Sequence, residues 1–440
     1  MSDLWGVRFM STIEHGTATA HVAVVPEQVG GPATAHRDEV TARPFTTDVV
    51  VIGGCGHVGL PLGIAFAHRG LKTRLFDVNR ASVDLVNRAS LPFSEESAAD
   101  ILRAVVHDGS LQASSDPRIV QDAEHVVVVI GTPVDEHLNP DPHAIPRALA
   151  ECADYLRDGQ LLILRSTVYP GVTALVERTL AQRGLSVDVA FCPERIAEGK
   201  AMTELFSLPQ IVAGRSQEVR DRAAALFSRL TDEIVPLEPE EAELAKLFTN
   251  TWRYIKFAAA NQFFMIANDY GLDFERIRHA VTHEYPRAAD MPGAGFAAGP
   301  CLFKDTMQLA AFNKNNFVLG HSAMLINEGL PLYLVSKLEE RYPDLLDKKV
   351  AILGMAFKGD SDDTRASLSY KLRRVLEFKC DRVIATDPYV TTDHTLVPLD
   401  EALDEADIVV IAAPHTVYRD LETDKPVVDV WNLRGNGSTV

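Results

Sequence analysis

The stretch TDVVVIGGCGHVGLPLG, residues 47–63, decides the fold. It is a short apolar run that ends in glycines and passes directly into GLPLGIAFAHRG, a helical stretch closing at Gly70. Gly54, Gly56 and Gly59 make GxGxxG between strand and helix. The spacing predicts a tight turn at the first glycine, close backbone approach to a pyrophosphate at the second and close helix–strand packing at the third. The helix N-terminus then receives the anion. A second strand, TRLFDV, ends at Asp77, 18 residues beyond Gly59. A carboxylate there can accept both ribose hydroxyls and repels a 2′-phosphate, which favours NAD over NADP. A flavin adenine dinucleotide uses the same fingerprint, and a tight turn without any nucleotide is the blander reading.

Outward from this turn, EHVVVVIG, QLLILRST and VDVAFCP are further short apolar runs alternating with helical stretches, the mark of a parallel sheet covered by helices. The alternation stops near Pro239. EAELAKLFTNTWRYIKFAAANQFFMIANDYG then reads as one long helix closing at Gly271. Strand signals return in KKVAILGMAF, CDRVIATDP and ADIVVIAAP, with PVVDVW as a fourth. The expected organisation is an N-terminal extension without steady period over residues 1–45, an α/β unit over 46–239, a helical unit over 240–345 and a second α/β unit over 346–440. The fold class is thus α/β, with two Rossmann-like doubly wound domains joined by a central helical domain.

The formal net charge of -18 argues against a nucleic-acid partner, because a phosphate backbone would meet a like-charged surface. Five cysteines, at 55, 152, 192, 301 and 380, show no CxxC pair and no zinc-type spacing, so no metal site and no disulfide framework is expected. No apolar run reaches the roughly 18 residues of a spanning helix, and no basic start precedes an apolar stretch. The expectation is a cytoplasmic protein away from membranes.

Three clusters carry chemistry. Cys301 stands in PGAGFAAGPCLFKD, where small residues and prolines bracket one thiol beside Lys304 and Asp305. A nearby cation favours the thiolate, and small neighbours let a carbonyl carbon approach; an inert buried cysteine is the alternative. In CPERIAEGKA, Glu194 and Glu198 are four apart, so a helical turn would place them on one face, one as a general base and the other as ligand or anchor, unless they are only a solvated face. Lys246 and Asn250 in AKLFTN are one helical turn apart within an apolar segment, where the lysine either snorkels or donates to a developing oxyanion beside the amide.

Taken in order from Thr47 to Asn432, VVVIGGCGHVGLPLG, VIGTPVDE, LRSTVYPG, PERIAEGKA, AELAKLFTN, GPCLFKD, VAILGMAFKGDSDDTRAS and ATDPYV resemble the UDP-glucose/GDP-mannose dehydrogenase family. The resemblance implies an NAD domain, a central dimerisation domain and a C-terminal domain for the nucleotide of a nucleoside-diphosphate sugar, in a homodimer or higher even oligomer. It implies a four-electron oxidation of the sugar's 6-hydroxymethyl group to a uronate through a thiohemiacetal and thioester on Cys301. Lys246, assisted by Asn250, would stabilise negative oxygen. Asp305 and Thr167 would position water, and Glu194 would be the base in thioester hydrolysis. Glu194, Lys246 and Asn250 would also contact the sugar.

By the same resemblance Thr132, Ser166, Thr167, Val168, Glu198, Lys304 and Arg365 fall on the NAD side. Lys358 and Arg287 fall on the nucleotide-sugar side, Arg287 reaching across the dimer. Two departures from the UDP-glucose branch bear on the sugar: Arg195 and Ile196 replace an aromatic residue and a leucine, and GFAAGPC replaces GFGGSC. The PER form is similar to the branch acting on N-acetylated aminosugars, while CLFKD is closer to the glucose branch; a dTDP-glucose type substrate is also open. A two-electron β-hydroxyacid-type dehydrogenase is the alternative, and would need neither Cys301 nor the second α/β unit. A catalytically silent binding protein is disfavoured by the presence of all the candidate side chains together.

Overall fold

The computed structural model describes residues 44–440 apart from 133, 136, 138 and 439. The extension expected over residues 1–45 lies, but for its last two residues, outside the described residues. β1 (Thr47–Ile52), β2 (Thr73–Phe76), β3 (Leu111–Ser114), β4 (Ala123–Val128), β5 (Leu161–Leu164), β6 (Asp188–Phe191), β7 (Gln210–Gly214) and β8 (Ile234–Leu237) form one sheet. Its order is β3-β2-β1-β4-β5-β6-β7-β8. The first six strands are parallel in the dinucleotide-binding order, so the crevice at the switch between β1 and β4 is where a ligand belongs. β7 runs antiparallel to β6 and β8 parallel to β7, and the reading of the sequence named neither strand.

The glycine turn divides its labour differently from expectation. The left-handed residue is Gly53, at φ 76°, with a Cβ there colliding with the Val129 carbonyl. Gly54 is needed instead for packing, since a Cβ would lie 2.7 Å from that of Leu75. Gly59 touches the Gly53 carbonyl and lets the following helix, Gly59–His68, pack against β1. A Cβ on Gly56 would meet only Gly53 O at 3.8 Å, so that face of the turn is open.

The long helix spans Pro239–Asp269. Proline at its first position suits the missing donor, and Glu241 Oε2 accepts from Glu238 N at 2.9 Å, which closes the end. The helix Val318–Arg341 packs along it, sharing Ala260, Phe264, Leu330 and Leu334 in one core with the C-terminal unit. β9 (Lys349–Leu353), β10 (Arg382–Thr386), β11 (Ile408–Ile411) and β12 (Val427–Val428) form an all-parallel sheet in the order β10-β9-β11-β12, the four strands read from the sequence. Here the turn after β9 is closed by the chain itself. Asp387, at the end of β10, accepts from Met355 N at 2.6 Å and Ala356 N at 3.0 Å and meets His415 Nε2 at 2.9 Å. No described helix is long and apolar enough to cross a membrane.

Candidate active site

On the cofactor side, Asp77 Oδ2 accepts from Cys55 N and Oδ1 from Asn79 N, both at 2.9 Å. Each oxygen keeps a lone pair for a ribose hydroxyl. Together with the open face at Gly56, these residues fit NAD. Thr132 Oγ1 donates to Thr167 O at 2.6 Å, and Ile130 N donates to Ser166 Oγ at 2.7 Å, so the loops after β4 and β5 are tied into one rim. Val168 departs from expectation: its side chain is 1 % exposed and packs in the core, so only its backbone can face a cofactor. Burial lowers the pKa of His57 in the glycine turn, with Arg365 and Lys358 lowering it further against Asp363 and Asp362.

Cys301 is exposed and caps the helix Leu302–Phe312. That helix carries Asp305 one turn on, fully buried, with Oδ2 accepting from Asn250 Nδ2 at 2.5 Å. Lys304 Nζ stands 3.1 Å from Asp305 Oδ1 and donates to Thr132 Oγ1 at 3.1 Å, linking the helix after Cys301 to the loop after β4. Lys246, on the long helix one turn before Asn250, is 9 % exposed. Burial lowers its pKa, opposed by the charges of Asp305, Cys301 and Glu194 around it. The expectation of a favoured thiolate is corrected. Although Cys301 keeps solvent-accessible surface, the protein crowded around its thiol first and Asp305 second raise the thiol pKa, outweighing Lys304 and Lys246. A raised thiol means the thiolate fraction is still growing through the pH of an ordinary cysteine. Alkylation of Cys301 by iodoacetamide should therefore climb about tenfold per pH unit between about pH 7 and pH 9. A plateau beginning below that range would contradict it.

The two glutamates do not share a helical face, because residues 192–197 are irregular and a turn at Glu198 and Gly199 follows. Pro193 and Gly199 bracket the segment, and each carboxylate takes a separate partner. Glu194 forms a buried ion pair with Arg165, while its Oε1 accepts from Arg195 N at 2.7 Å and Ile196 N at 3.0 Å. Arg165 is itself 1 % exposed, donates to Cys192 O and Gln210 Oε1, both at 3.0 Å, and lies over Phe227. Glu198 Oε1 accepts from Arg365 Nη2 at 2.9 Å, and Lys358 Nζ holds the Glu198 carbonyl. Its Oε2 is buried with no partner. Burial, with the neighbouring Asp363 carboxylate adding to it, raises the Glu198 pKa to about 7 against the pull of Arg365 and Lys358, and its charge bears on Cys301.

Arg287 is not brought to this cluster. It is exposed and touches only Tyr285 among the described residues. Three buried polar residues that the sequence reading did not single out hold segments around the cluster: Arg165 and Glu95 hold the segment 194–198, and Asn261 bonds the backbone of Gly295. Glu95 accepts from Gly199 N at 2.9 Å and Ala201 N at 2.7 Å and so holds the Glu198 turn. The available signals were an arginine ending an apolar strand run and an asparagine within an apolar helix.

The open dinucleotide turn with Asp77 at its rim, and a buried lysine close to Cys301 and Asp305, fit an NAD-dependent dehydrogenase. Residues 47–231 match the NAD-binding domain of the UDP-glucose/GDP-mannose dehydrogenase family, residues 240–328 its central domain and residues 351–435 its UDP-binding domain. The chain belongs to the UDP-glucose/GDP-mannose dehydrogenase family, and it is an NAD-dependent nucleotide-sugar dehydrogenase. Among its relatives are UDP-N-acetyl-D-mannosamine dehydrogenases of Pyrococcus horikoshii, 30% identical over 84% of this chain and 90% of that one, and of Yersinia pestis, 29% identical over 86% and 96%. The solved UDP-glucose dehydrogenase of Pyrobaculum islandicum superimposes with a TM-score of 0.83 at 25% identity, covering 91% of this chain and 98% of that one.

Proposed function

We propose that the protein oxidises the 6-hydroxymethyl group of a UDP-linked sugar through two successive two-electron steps to a uronate, with Cys301 as the covalent anchor. The observation that carries this reading is Cys301 at the start of a helix whose Asp305 is bonded to Asn250, one turn from buried Lys246. Bound at Gly54, Gly56, Gly59 and Asp77, NAD supplies the hydride acceptor. Lys246 and Asn250 hold the oxygen as it gains negative charge, and the lowered lysine pKa lets its amine exchange a proton with that oxygen. Cys301 Sγ adds to the aldehyde carbon, giving a thiohemiacetal, whose oxidation leaves a thioester on the same sulfur. Thr167 and Asp305 orient water.

The base that activates this water is assigned to Glu198 rather than Glu194. Glu194 has its carboxylate committed to Arg165 and two backbone donors, whereas Glu198 retains one uncommitted oxygen. The relatives' names and the Arg195-Ile196 pair favour an N-acetylated hexosamine over glucose. Assaying NADH release from UDP-N-acetylmannosamine, UDP-glucose, dTDP-glucose and GDP-mannose tests the reading. About two NADH per uronate are expected, and one NADH per sugar with aldehyde as final product would overturn it.

The active unit is assigned as a homodimer formed along the long helix. Phe248, Trp252, Phe263, Ile266 and Tyr270 are all exposed there, and at 100° per residue they fall within an arc of about 60°. A continuous apolar stripe on a symmetric oligomer favours a second copy as its cover, and would let Arg287 reach the partner's site. Light scattering at assay concentration should give twice the chain mass; a fully active monomer would refute the assignment.

A further inference from the structure

The loop from Gly293 to Pro300, which delivers Cys301, is wedged between two parts of the fold. On one side stands the C-terminal unit. Gly295, at φ 149°, lies against the Trp431 indole, and a Cβ there would collide with the ring. Gly299, at φ 97°, faces Phe357, with a Cβ reaching 2.6 Å from it, and its N–H donates to Ala366 O at 3.3 Å. On the other side stands the long helix, which offers one polar group.

We propose that Asn261 is a positioning residue that brackets Gly295 from the long helix and thereby sets the place of Cys301. Asn261 Oδ1 accepts from Gly295 N at 2.9 Å, and its Nδ2 donates to Gly295 O at 3.0 Å. The remaining Nδ2 hydrogen goes to Asn327 Oδ1 at 2.9 Å, and Asn327 Nδ2 donates to Tyr254 O at 3.0 Å. Both asparagines are 0 % exposed. Every hydrogen of the Asn261 amide is used, and the Gly295 N–H admits only an acceptor, so the amide has one orientation. The clamp leaves the glycine backbone no freedom to slide along the helix. Six residues later the chain turns into the nucleophile helix, so a shift at Gly295 reaches Cys301 directly. A misplacement of about 1 Å costs on the order of 100-fold in rate.

This inference rests on Cys301 being the nucleophile, and the test separates the two. Full-length Asn261→Leu and Asn261→Asp are compared with the unaltered protein for turnover, with UDP-glucose and UDP-N-acetylmannosamine as probes, and for alkylation of Cys301 by iodoacetamide, which needs no substrate. With the loop released, turnover per folded molecule should fall about 100-fold while alkylation quickens. A purely structural residue would lower the unfolding midpoint and leave both rates of the folded fraction alone. Asn261→Asp adds a pH signature that survives if the leucine variant fails to fold. An ionised carboxylate faces Gly295 O and Asn327 Oδ1, both acceptors, whereas its protonated form restores one donor. Its buried pKa is raised, so its deficit should shrink as pH falls from about 8 to about 6. Unchanged turnover and alkylation in a folded Asn261→Leu, or a pH-independent deficit in Asn261→Asp, would overturn the clamp. Full turnover by Cys301→Ala would remove the nucleophile reading instead, with the alkylation result on Asn261 standing apart.

Discussion

Glu198→Gln is expected to release about two NADH per site in a burst and then stop, with a uronyl group held on Cys301 as a thioester. The hydride steps need no water, so they survive loss of the base, while hydrolysis does not. Oε2 of Glu198, like Oδ1 of Asp305, is a buried carboxylate oxygen without a hydrogen-bond donor near the thiol, and the Glu198 pKa raised to about 7 suits a base at neutral pH. The sign follows: a raised carboxyl is protonated as pH falls below about 7, so hydrolysis in the unaltered protein should weaken on the acid side. Cys301→Ala should form no adduct. Intact mass after quenching decides the matter: an unmodified Glu198→Gln protein after NADH release, or unimpaired turnover by it, would remove Glu198 from this role.

The second large effect concerns stability. Arg165→Met should lower unfolding free energy by about 3–5 kcal/mol, read from the urea midpoint, because it leaves the Glu194 carboxylate buried without its cation. The whole guanidinium is enclosed by Glu194, Cys192, Gln210 and Phe227. Pairing the change with Glu194→Gln removes the stranded charge and should recover much of the loss. A single variant as stable as the unaltered protein would show that the ion pair is not what anchors this segment.

The contrast between the two glutamates marks where a sequence stops being legible. The glycine turn, Asp77, the long helix and the nine strands read from the sequence were legible because each depends on neighbours within a short stretch: an apolar period, a glycine, a carboxylate at a strand end. Cys301 was visible for the same reason. Glu194 and Glu198 were placed on a helical face by spacing alone, yet Glu194 answers to Arg165 across the sheet and Glu198 to Arg365 in the C-terminal unit. Their roles depend on contacts 29 and 167 residues away in the chain. The thiol's charge state was likewise misjudged, because an adjacent lysine is local information and burial is not. Even within the turn, the left-handed position fell on Gly53, one residue before the fingerprint, since the fingerprint records spacing and not φ.

The self-closed turn after β9 has a kinetic consequence. Asp387 Oδ2 is taken by Met355, Ala356 and His415 and Oδ1 by Tyr389 and Val390, so this carboxylate is not free for a ribose, and the seat at Asp77 is the one described for a dinucleotide. Under the proposed two-step oxidation, one seat makes the site a turnstile: it would have to empty and refill in the middle of each catalytic cycle, while the half-oxidised sugar stays behind. Retention would then have to come from elsewhere, from the nucleotide handle in the C-terminal unit that matches the family's UDP-binding domain and from the proposed bond to sulfur. Leakage of free aldehyde into solution, trapped by a hydrazine, would measure how well those two tethers outlast the exchange.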